Sequence, residues 1–273
     1  MSDRREETRT EILSDMDIPE MVQPERKKKG FHFTKPDPKD PMVIILVILL
    51  VFLTCGTAFG GCVNHNRKVI ELDAAYGGDN SGYAGIVKEA DVTQKTVDAL
   101  VKLLNEDGGY DVKLTHEAGT SASVKERSAK INRDKPDFVL SIHADGSPDA
   151  SLSGQYIYAD IPTDSHHADS LKLADFIKKA FTDETWKPQA GYLYYQPFDH
   201  NTFQLKQVGE DDTRDYKLDT WDLMKQCDAP VVISDAFHVS NQADVDTWAN
   251  DKGYQKAAEN YYKAIRDYYG SEK

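Results

Sequence analysis

The sequence lacks the features that define several broad classes of protein. It has only three cysteines, at positions 55, 62 and 227, too few and too widely spaced for a zinc knuckle or a disulfide framework. Basic residues are also scarce, since 33 Lys and Arg stand against 46 Asp and Glu, a formal charge of −13. Because affinity for nucleic acid depends on excess Lys and Arg, we predict no nucleic-acid partner. Only one long uncharged run is present, which excludes a polytopic membrane protein.

That uncharged run, Met42–Gly61, is 20 residues long and contains the strongly apolar segment Val43–Leu53. A bilayer core requires about 20 apolar residues in a helix, so we predict one transmembrane helix over residues 42–62. A cleaved signal peptide is an alternative, but its apolar segment is shorter and lies near the N-terminus, whereas 41 residues precede this run. A lipoprotein attached through Cys62 is a weaker alternative, because the preceding residues match a lipobox poorly.

The flanking charges predict the orientation of this helix. The 20 residues before it carry six Lys and Arg, and the 20 residues after Gly61 carry two. Since cytoplasmic flanks carry the excess of Lys and Arg, we expect a single-pass protein of the cell membrane with a cytoplasmic N-terminus and an extracellular C-terminal domain. Residues 1–41 are rich in charge and proline and poor in large apolar side chains, so we predict a disordered cytoplasmic tail.

The remainder, residues 66–270, is long enough for one domain and alternates between strand-like and helix-like segments. Short apolar or alternating segments predict strands at 68–73, 110–115, 137–143, 155–158 and 230–235. Apolar residues at three-to-four spacing predict helices over 87–105, 171–181 and 254–269, and Ser123 with Glu126 matches a capping box that begins another helix. The alternation predicts an α/β fold, a mostly parallel sheet flanked by helices and preceded by the transmembrane helix.

Polar residues follow three of the predicted strands, in the segments Asp73–Gly78, His143–Gly146 and Asp235–Asn241. Ligands of such folds bind at the carboxyl ends of the strands, so we expect these segments to converge on a site. The stretch 194–217 is less regular, and we interpret it as a surface loop. An insertion that contacts substrate or a partner is the alternative, because long loops in compact domains are often functional.

Four segments, in this order and spacing, resemble the motifs of zinc-dependent N-acetylmuramoyl-L-alanine amidases. They are Val69–Gly78, Lys88–Val92, Ser141–Asp145 and Ile233–Asn241. The resemblance extends from about Lys68 to Tyr269 and therefore implies an amidase-like domain over residues 66–270. Members of this family cleave the amide between the lactyl group of muramic acid and L-alanine in peptidoglycan. Their fold is a mostly parallel sheet flanked by helices.

The resemblance also implies the residues that would carry the chemistry. In the family, a His, a Glu and a His from the first three motifs hold zinc, and a Glu of the fourth motif is the catalytic carboxylate. Zinc in such a site activates water and polarises the scissile carbonyl, while the carboxylate moves the proton. Here Glu89 and His143 match the second and third metal ligands, Tyr76 occupies the position of the remaining ligand, and Asp235 replaces the catalytic Glu.

Both departures weaken the expected chemistry. A phenol is a poor zinc ligand beside an imidazole, so we expect zinc to bind weakly or not at all. Tyr76 would then fill the former metal position or stack on a sugar ring. Asp235 is one methylene shorter than Glu, and a misplacement of about 1 Å can cost on the order of 10²-fold in rate. Candidates for a replacement ligand are Asp73, Asp145, His200 and His238.

Three functional hypotheses follow. The leading one is a membrane-anchored amidase-like domain that acts at peptidoglycan, binds the cell wall or a partner, and has weak or no hydrolytic activity. The alternative is an active zinc-dependent amidase with a rearranged ligand set that cleaves the lactyl–L-alanine amide during cell-wall remodelling. The third is an interaction protein of a division or sporulation complex that uses the old cleft or the 194–217 stretch. The charge of −12 over residues 63–273 disfavours capture of anionic wall polymers, so binding would depend on shape and hydrogen bonds.

Overall fold

A computed structural model describes residues 39, 41, 42, 45, 67–196, 202–207, 217–218 and 220–271, with backbone alone for 194–196, 202–204, 206–207 and 217–218. Apart from positions 39, 41, 42 and 45, the predicted tail and the predicted transmembrane helix lie outside the described residues. Within the described residues, no helix is both long enough and apolar enough to cross a membrane.

Between residues 67 and 271, the described residues form eight strands and six helices. The strands are β1 (Lys68–Ala74), β2 (Tyr110–Leu114), β3 (Phe138–Asp145), β4 (Tyr156–Ala159), β5 (Gln189–Gln196), β6 (Thr202–Gln207), β7 (Lys217–Leu218) and β8 (Val231–His238). The helices are α1 (Glu89–Asp107), α2 (Val124–Asp134), α3 (His167–Phe181), α4 (Asp222–Gln226), α5 (Gln242–Trp248) and α6 (Asp251–Gly270).

The strands form one mixed sheet in the order β2-β1-β3-β8-β4-β5-β6, and β7 also pairs with β5. The four strands from β2 to β8 run parallel to one another. Strand β4 is antiparallel to β8 and parallel to β5, whereas β6 and β7 are antiparallel to β5. The predicted α/β fold with a mostly parallel sheet flanked by helices is therefore confirmed.

The sheet is buried on both faces, which explains the near-continuous apolar run of β3. Phe138, Leu140 and Ile142 contribute to the main core, together with side chains of α1, α3 and α6. Val139 points to the opposite face, where it belongs to a smaller cluster with residues of α2, α4 and β8. A central parallel strand covered by helices on both sides requires apolar residues at successive positions, as the sequence predicted.

The capping box of α2 is also confirmed. The backbone N–H of Glu126 donates to Ser123 Oγ at 3.3 Å, and Glu126 Oε2 accepts from the Ser123 backbone N–H at 2.8 Å. These two hydrogen bonds satisfy donors that a helix N-terminus otherwise leaves unpaired. They fix the start of α2, whose Arg127 lies beside the candidate site.

The interpretation of 194–217 as a surface loop is wrong for the described residues of that stretch. Backbone pairing extends β5 to Gln196, and the paired segments β6 and β7 follow it. These strands lie at the far end of the sheet, and edge strands give a weak sequence signal because they are not covered on both faces. Helices α4 and α5 were likewise not predicted, because five and seven residues are too few to establish a periodicity.

Candidate active site

The carboxyl ends of three adjacent strands form the candidate site. Strand β3 lies between β1 and β8, and all three run parallel. His143 on β3 is paired in register with Asp235 on β8, and Tyr76 follows the end of β1. Glu89 is the first residue of α1. The structure therefore brings together all four side chains that the sequence singled out, although their chemical roles remain predictions.

Glu89 and His143 are in direct contact. Glu89 Oε1 lies 3.4 Å from His143 Nδ1, and the two side chains are 6% and 13% exposed. The same oxygen accepts a hydrogen bond from the backbone N–H of Ala144 at 3.1 Å. The other oxygen, Oε2, accepts from the backbone N–H of Tyr83 at 3.0 Å. Each carboxylate oxygen of Glu89 therefore helps to hold the surrounding backbone.

Tyr76 stands edge-on to His143, with ring centroids 5.6 Å apart and an interplanar angle of 81°. The segment after Tyr76 folds back over it at Gly82, which has a left-handed φ of +63°. A Cβ at Gly82 would lie 2.6 Å from both Tyr76 Cδ2 and Glu89 Oε2. Glycine at this position therefore allows the loop to close on the phenol and on the carboxylate.

The surroundings of Tyr76 and Asp235 favour the neutral forms of these two side chains. Burial, followed by the charges of Glu89 and Asp235, raises the pKa of the Tyr76 phenol. Burial is also the main cause that raises the pKa of Asp235 to about 7, with Asp145 and Glu89 adding to the rise and His143 opposing it. Burial alone would lower the pKa of His143, but its hydrogen bond with Glu89 and the charge of Asp235 outweigh that effect, so its pKa is raised.

The replacement ligands expected from the sequence are differently placed. Asp73 is fully buried and accepts hydrogen bonds from Thr115 Oγ1 at 2.5 Å, Ser141 Oγ at 2.6 Å and Arg127 Nη1, so both of its oxygens are engaged. Asp145 Oδ2 lies 4.0 Å from His238 Nδ1. His200 lies outside the described residues.

His238 is 3% exposed, and neither of its ring nitrogens has a hydrogen-bond partner within the part of the chain that is described. It lies near the ring of Tyr156, at 6.1 Å between centroids. No three His, Cys, Asp or Glu side chains among the described residues are grouped so that they could hold a metal ion. Among the described residues, Glu89 and His143, the two positions that match family ligands, are in contact, and Tyr76 stands at the position of the remaining ligand.

A cleft of about 430 Å³ opens beside Tyr76 and His143. Two of its lining residues, Arg127 and Trp221, were not identified from the sequence. Arg127 follows the capping box of α2 but has no motif of its own. Trp221 precedes the five-residue helix α4, and a single aromatic residue in an aperiodic segment is not distinguishable by sequence from a core residue. Only its exposure in the folded chain, 38%, identifies it.

Comparison with known proteins agrees with the fold and with the family resemblance. The sequence pattern of the N-acetylmuramoyl-L-alanine amidase family matches residues 70–267. The N-acetylmuramoyl-L-alanine amidase AmiC of Escherichia coli O6:H1 is 32% identical over 93 residues, which represent 33% of this chain and 22% of AmiC. This chain therefore aligns with only about a fifth of that curated relative.

Two solved structures share the fold. The catalytic domain of CwlV, an N-acetylmuramoyl-L-alanine amidase from Bacillus (Paenibacillus) polymyxa var. colistinus, has a TM-score of 0.58 at 18% identity, covering 75% of this chain and 99% of that one. The CwlD amidase from Clostridioides difficile, solved in complex with the GerS lipoprotein, has a TM-score of 0.57 at 20% identity, covering 75% and 100%. At these identities the likeness concerns the fold alone.

Proposed function

The chain belongs to the N-acetylmuramoyl-L-alanine amidase family, and from this premise we propose that its C-terminal domain, residues 66–270, binds peptidoglycan or a cell-wall partner with weak or no hydrolysis. The observation that carries the proposal is the contact of Tyr76 with His143. A phenol stands where the family places an imidazole ligand, and its ring is nearly perpendicular to that of His143, with 5.6 Å between the centroids.

The residues present do not fit a three-ligand zinc centre. Catalytic zinc is held by three protein ligands with nitrogen, sulfur or carboxylate donors and keeps one position for water. Glu89 and His143 carry suitable donor atoms and contact each other, but the remaining position holds the phenol of Tyr76, a poor zinc ligand. Asp73 is occupied by three other partners. We therefore expect zinc to bind weakly or not at all, and we derive no reaction step through it.

Asp235 supports the same conclusion. It lies beside His143 on the neighbouring strand and is 5% exposed. Its side chain is shorter by one methylene than the Glu of the family, and small displacements of a catalytic group have large effects on rate. A domain that retains the fold and the cleft but has altered two of four functional positions is suited to binding rather than to turnover.

The alternative function is an active zinc-dependent amidase with a rearranged ligand set. The observation in its favour is that Glu89, His143 and Asp235 still converge. His238, which lies in the fourth motif and is buried with neither ring nitrogen hydrogen-bonded among the described residues, would be the replacement ligand.

Restoring the family residues tests the proposal. The full chain, solubilised in detergent, is compared with Tyr76→His and with Tyr76→His/Asp235→Glu. Zinc is measured by elemental analysis after dialysis, and the release of stem peptides is measured on isolated peptidoglycan. We expect little bound zinc and little release for the original chain, about one equivalent of zinc for Tyr76→His, and the largest release for the double variant.

The matched control is His143→Ala in the double variant, which should lose both zinc and hydrolysis. Zinc-dependent release of stem peptides by the original chain, abolished by His143→Ala, would overturn the proposal in favour of the active amidase. A restored zinc content without any gain in hydrolysis would locate the defect at Asp235 or in the loop over Tyr76.

The proposal includes the place where the domain works. The apolar run 42–62 is a single membrane helix, residues 1–41 form a cytoplasmic tail, and the domain faces the cell wall. The six-to-two excess of Lys and Arg before the run supports this orientation. A protein partner in division or sporulation is a further part of the proposal, supported by the structure of CwlD in complex with the GerS lipoprotein.

A further inference from the structure

Trp221 is an exposed aromatic ring that is held in place at the cleft. It is the residue immediately before α4, and 38% of it is accessible to solvent. Its ring lies 5.6 Å from that of Tyr158 in an edge-to-face arrangement and 6.2 Å from that of His143. Contacts on two sides fix the indole before any ligand binds, so little conformational entropy is lost when a ligand stacks on it.

Among the described residues that line the cleft, none offers an unpaired positive charge. Arg127 lines the same cleft, but its guanidinium is paired with the buried carboxylate of Asp73. Asn80 and Thr220 contribute an amide and a hydroxyl, and Asp222 contributes a carboxylate. The Asp222 carboxylate is itself paired, because Lys225 Nζ lies 3.4 Å from its Oδ1. A cleft with an indole, neutral hydrogen-bonding groups and charges that are already paired suits a neutral polar ligand.

A pyranose ring is a neutral polar ligand that suits such a cleft. One of its faces presents C–H groups that pack on an aromatic surface, and its edge carries hydroxyl and acetamido groups that form hydrogen bonds. The stem peptide of peptidoglycan, in contrast, carries carboxylates, which the charge of −12 over residues 63–273 would repel.

We propose that Trp221 is the sugar-binding residue of the cleft and stacks on an N-acetylated pyranose of the glycan strand. This inference rests on the proposed function, because it names the part of peptidoglycan that the domain recognises. Trp221 is adjacent to His143. A sugar stacked on the indole would therefore place the peptide attached to that sugar beside Tyr76 and His143. The cleft would then recognise peptidoglycan mainly through its sugar, and the peptide would occupy the adjoining space.

Tryptophan fluorescence of the full chain in detergent tests the proposal. Of the three tryptophans, Trp248 is 3% exposed and Trp186 is partly buried, so the exposed Trp221 should dominate a ligand-dependent change. The probes are triacetylchitotriose, a neutral N-acetylated oligosaccharide, and a free L-alanyl-D-glutamyl stem peptide. We expect the oligosaccharide to change the emission and to bind, and the peptide to do neither.

Substitutions of Trp221 distinguish a loss of stacking on the ligand from a loss of folding. Trp221→Ala should weaken binding of the oligosaccharide, measured by calorimetry, by about tenfold, whereas Trp221→Phe, which keeps a smaller aromatic face, should lose less. Leu152→Ala is the matched control, because Leu152 is 45% exposed and does not line the cleft. Each variant is first checked for an unchanged thermal midpoint, and Trp221→Phe replaces Trp221→Ala if the latter unfolds.

Sedimentation with insoluble peptidoglycan separates this inference from the function on which it rests. Binding of the chain to peptidoglycan that Trp221→Ala and Trp221→Phe leave unchanged would overturn the role of Trp221 and retain the proposed function. Failure of the original chain to sediment with peptidoglycan would overturn the proposed function. Failure of the oligosaccharide to bind, or binding of the free peptide through Trp221, would overturn the inference whatever the sedimentation shows.

Discussion

At the scale of single residues, hydrogen bonds and a buried ion pair hold the candidate site. Glu89 accepts from the backbone N–H groups of Tyr83 and Ala144, and Asp73 is fully buried. The charge of Asp73 is balanced by Arg127, whose side chain is 8% exposed. A buried pair of this kind adds little net stability, but the loss of one partner leaves an uncompensated charge.

Arg127→Met should therefore reduce the free energy of unfolding by about 3–5 kcal/mol, because the carboxylate of Asp73 would remain buried without its cation. Urea denaturation followed by circular dichroism measures the loss. The control is Lys102→Met, which removes an ion pair with Glu106 whose side chains are 73% and 63% exposed and should change stability by less than about 1 kcal/mol. Equal effects of the two substitutions would contradict the importance of the buried pair.

At the scale of secondary-structure elements, side chains at the element ends determine how helices and strands join. The capping box fixes the start of α2. Asp160, directly after β4, connects three elements at once. Its Oδ2 accepts from the Val231 N–H of β8 at 3.0 Å, its N–H donates to Ser170 Oγ at 3.0 Å, and its carbonyl lies 2.6 Å from His167 Nδ1 of α3.

Ser123→Ala should destabilise the domain by about 1 kcal/mol, because an N-cap hydrogen bond to the Glu126 N–H is lost. The measurement is the midpoint of urea denaturation at constant slope. Ser121→Ala, two residues earlier on the exposed segment before α2, is the control and should be close to neutral. A loss no larger than that of the control would show that α2 does not need its cap.

Asp160→Asn should change the pH dependence of stability. Burial raises the pKa of Asp160 to about 6 in the folded chain, above the value of about 3.9 for an unfolded Asp. The folded state therefore binds the proton more tightly, and stability falls as the pH rises from about 4 to about 6. Asn cannot ionise, but it can still accept a hydrogen bond from the Val231 N–H. The substitution should therefore reduce the loss of stability between about pH 4 and about pH 6 by up to about 3 kcal/mol.

Thermal unfolding at a series of pH values between 4 and 7 measures this effect. Asp98→Asn on α1, where the carboxylate is exposed and bonded to Gln94, is the control and should leave the pH profile unchanged. An Asp160→Asn profile parallel to that of the original chain would mean that Asp160 does not titrate with a raised pKa.

At the scale of the whole molecule, charge is divided along the chain. Residues 1–41 carry a net −1, residues 42–62 carry no charge and residues 63–273 carry −12. The core lies between a sheet and helices on both of its faces, and the candidate cleft lies at the carboxyl ends of the parallel strands. The acidic surface is compatible with hydrogen-bonded recognition of a neutral glycan and disfavours electrostatic capture of anionic polymers.

Reporter fusions test the proposed membrane arrangement. Alkaline phosphatase, which is active only outside the cytoplasm, should be active when fused after residue 273 and inactive when fused before residue 1. Deletion of residues 42–61 should move the chain from the membrane to the soluble fraction, because no other segment of the sequence is comparably long and uncharged. Activity of both fusions, or an unchanged membrane fraction after the deletion, would contradict the arrangement.

The sequence by itself determined the features that depend on local or periodic signals. The apolar run of β3, the spacing of apolar residues in α1 and α6 and the capping box of α2 each specify an element within a short segment. The order of the four motifs placed Tyr76, Glu89, His143 and Asp235 at strand and helix ends, and such ends meet at one edge of a parallel sheet.

Only the tertiary structure decided what those residues contact. The bond of Arg127 with Asp73 joins positions 54 apart in the chain, and the antiparallel strands β5 to β7 form through pairing that no local pattern encodes. The exposure of Trp221 at the cleft likewise depends on how its segment lies against Tyr158 and His143. Contacts between distant segments and solvent exposure are properties of the folded chain, because they depend on which surfaces remain after the core has formed.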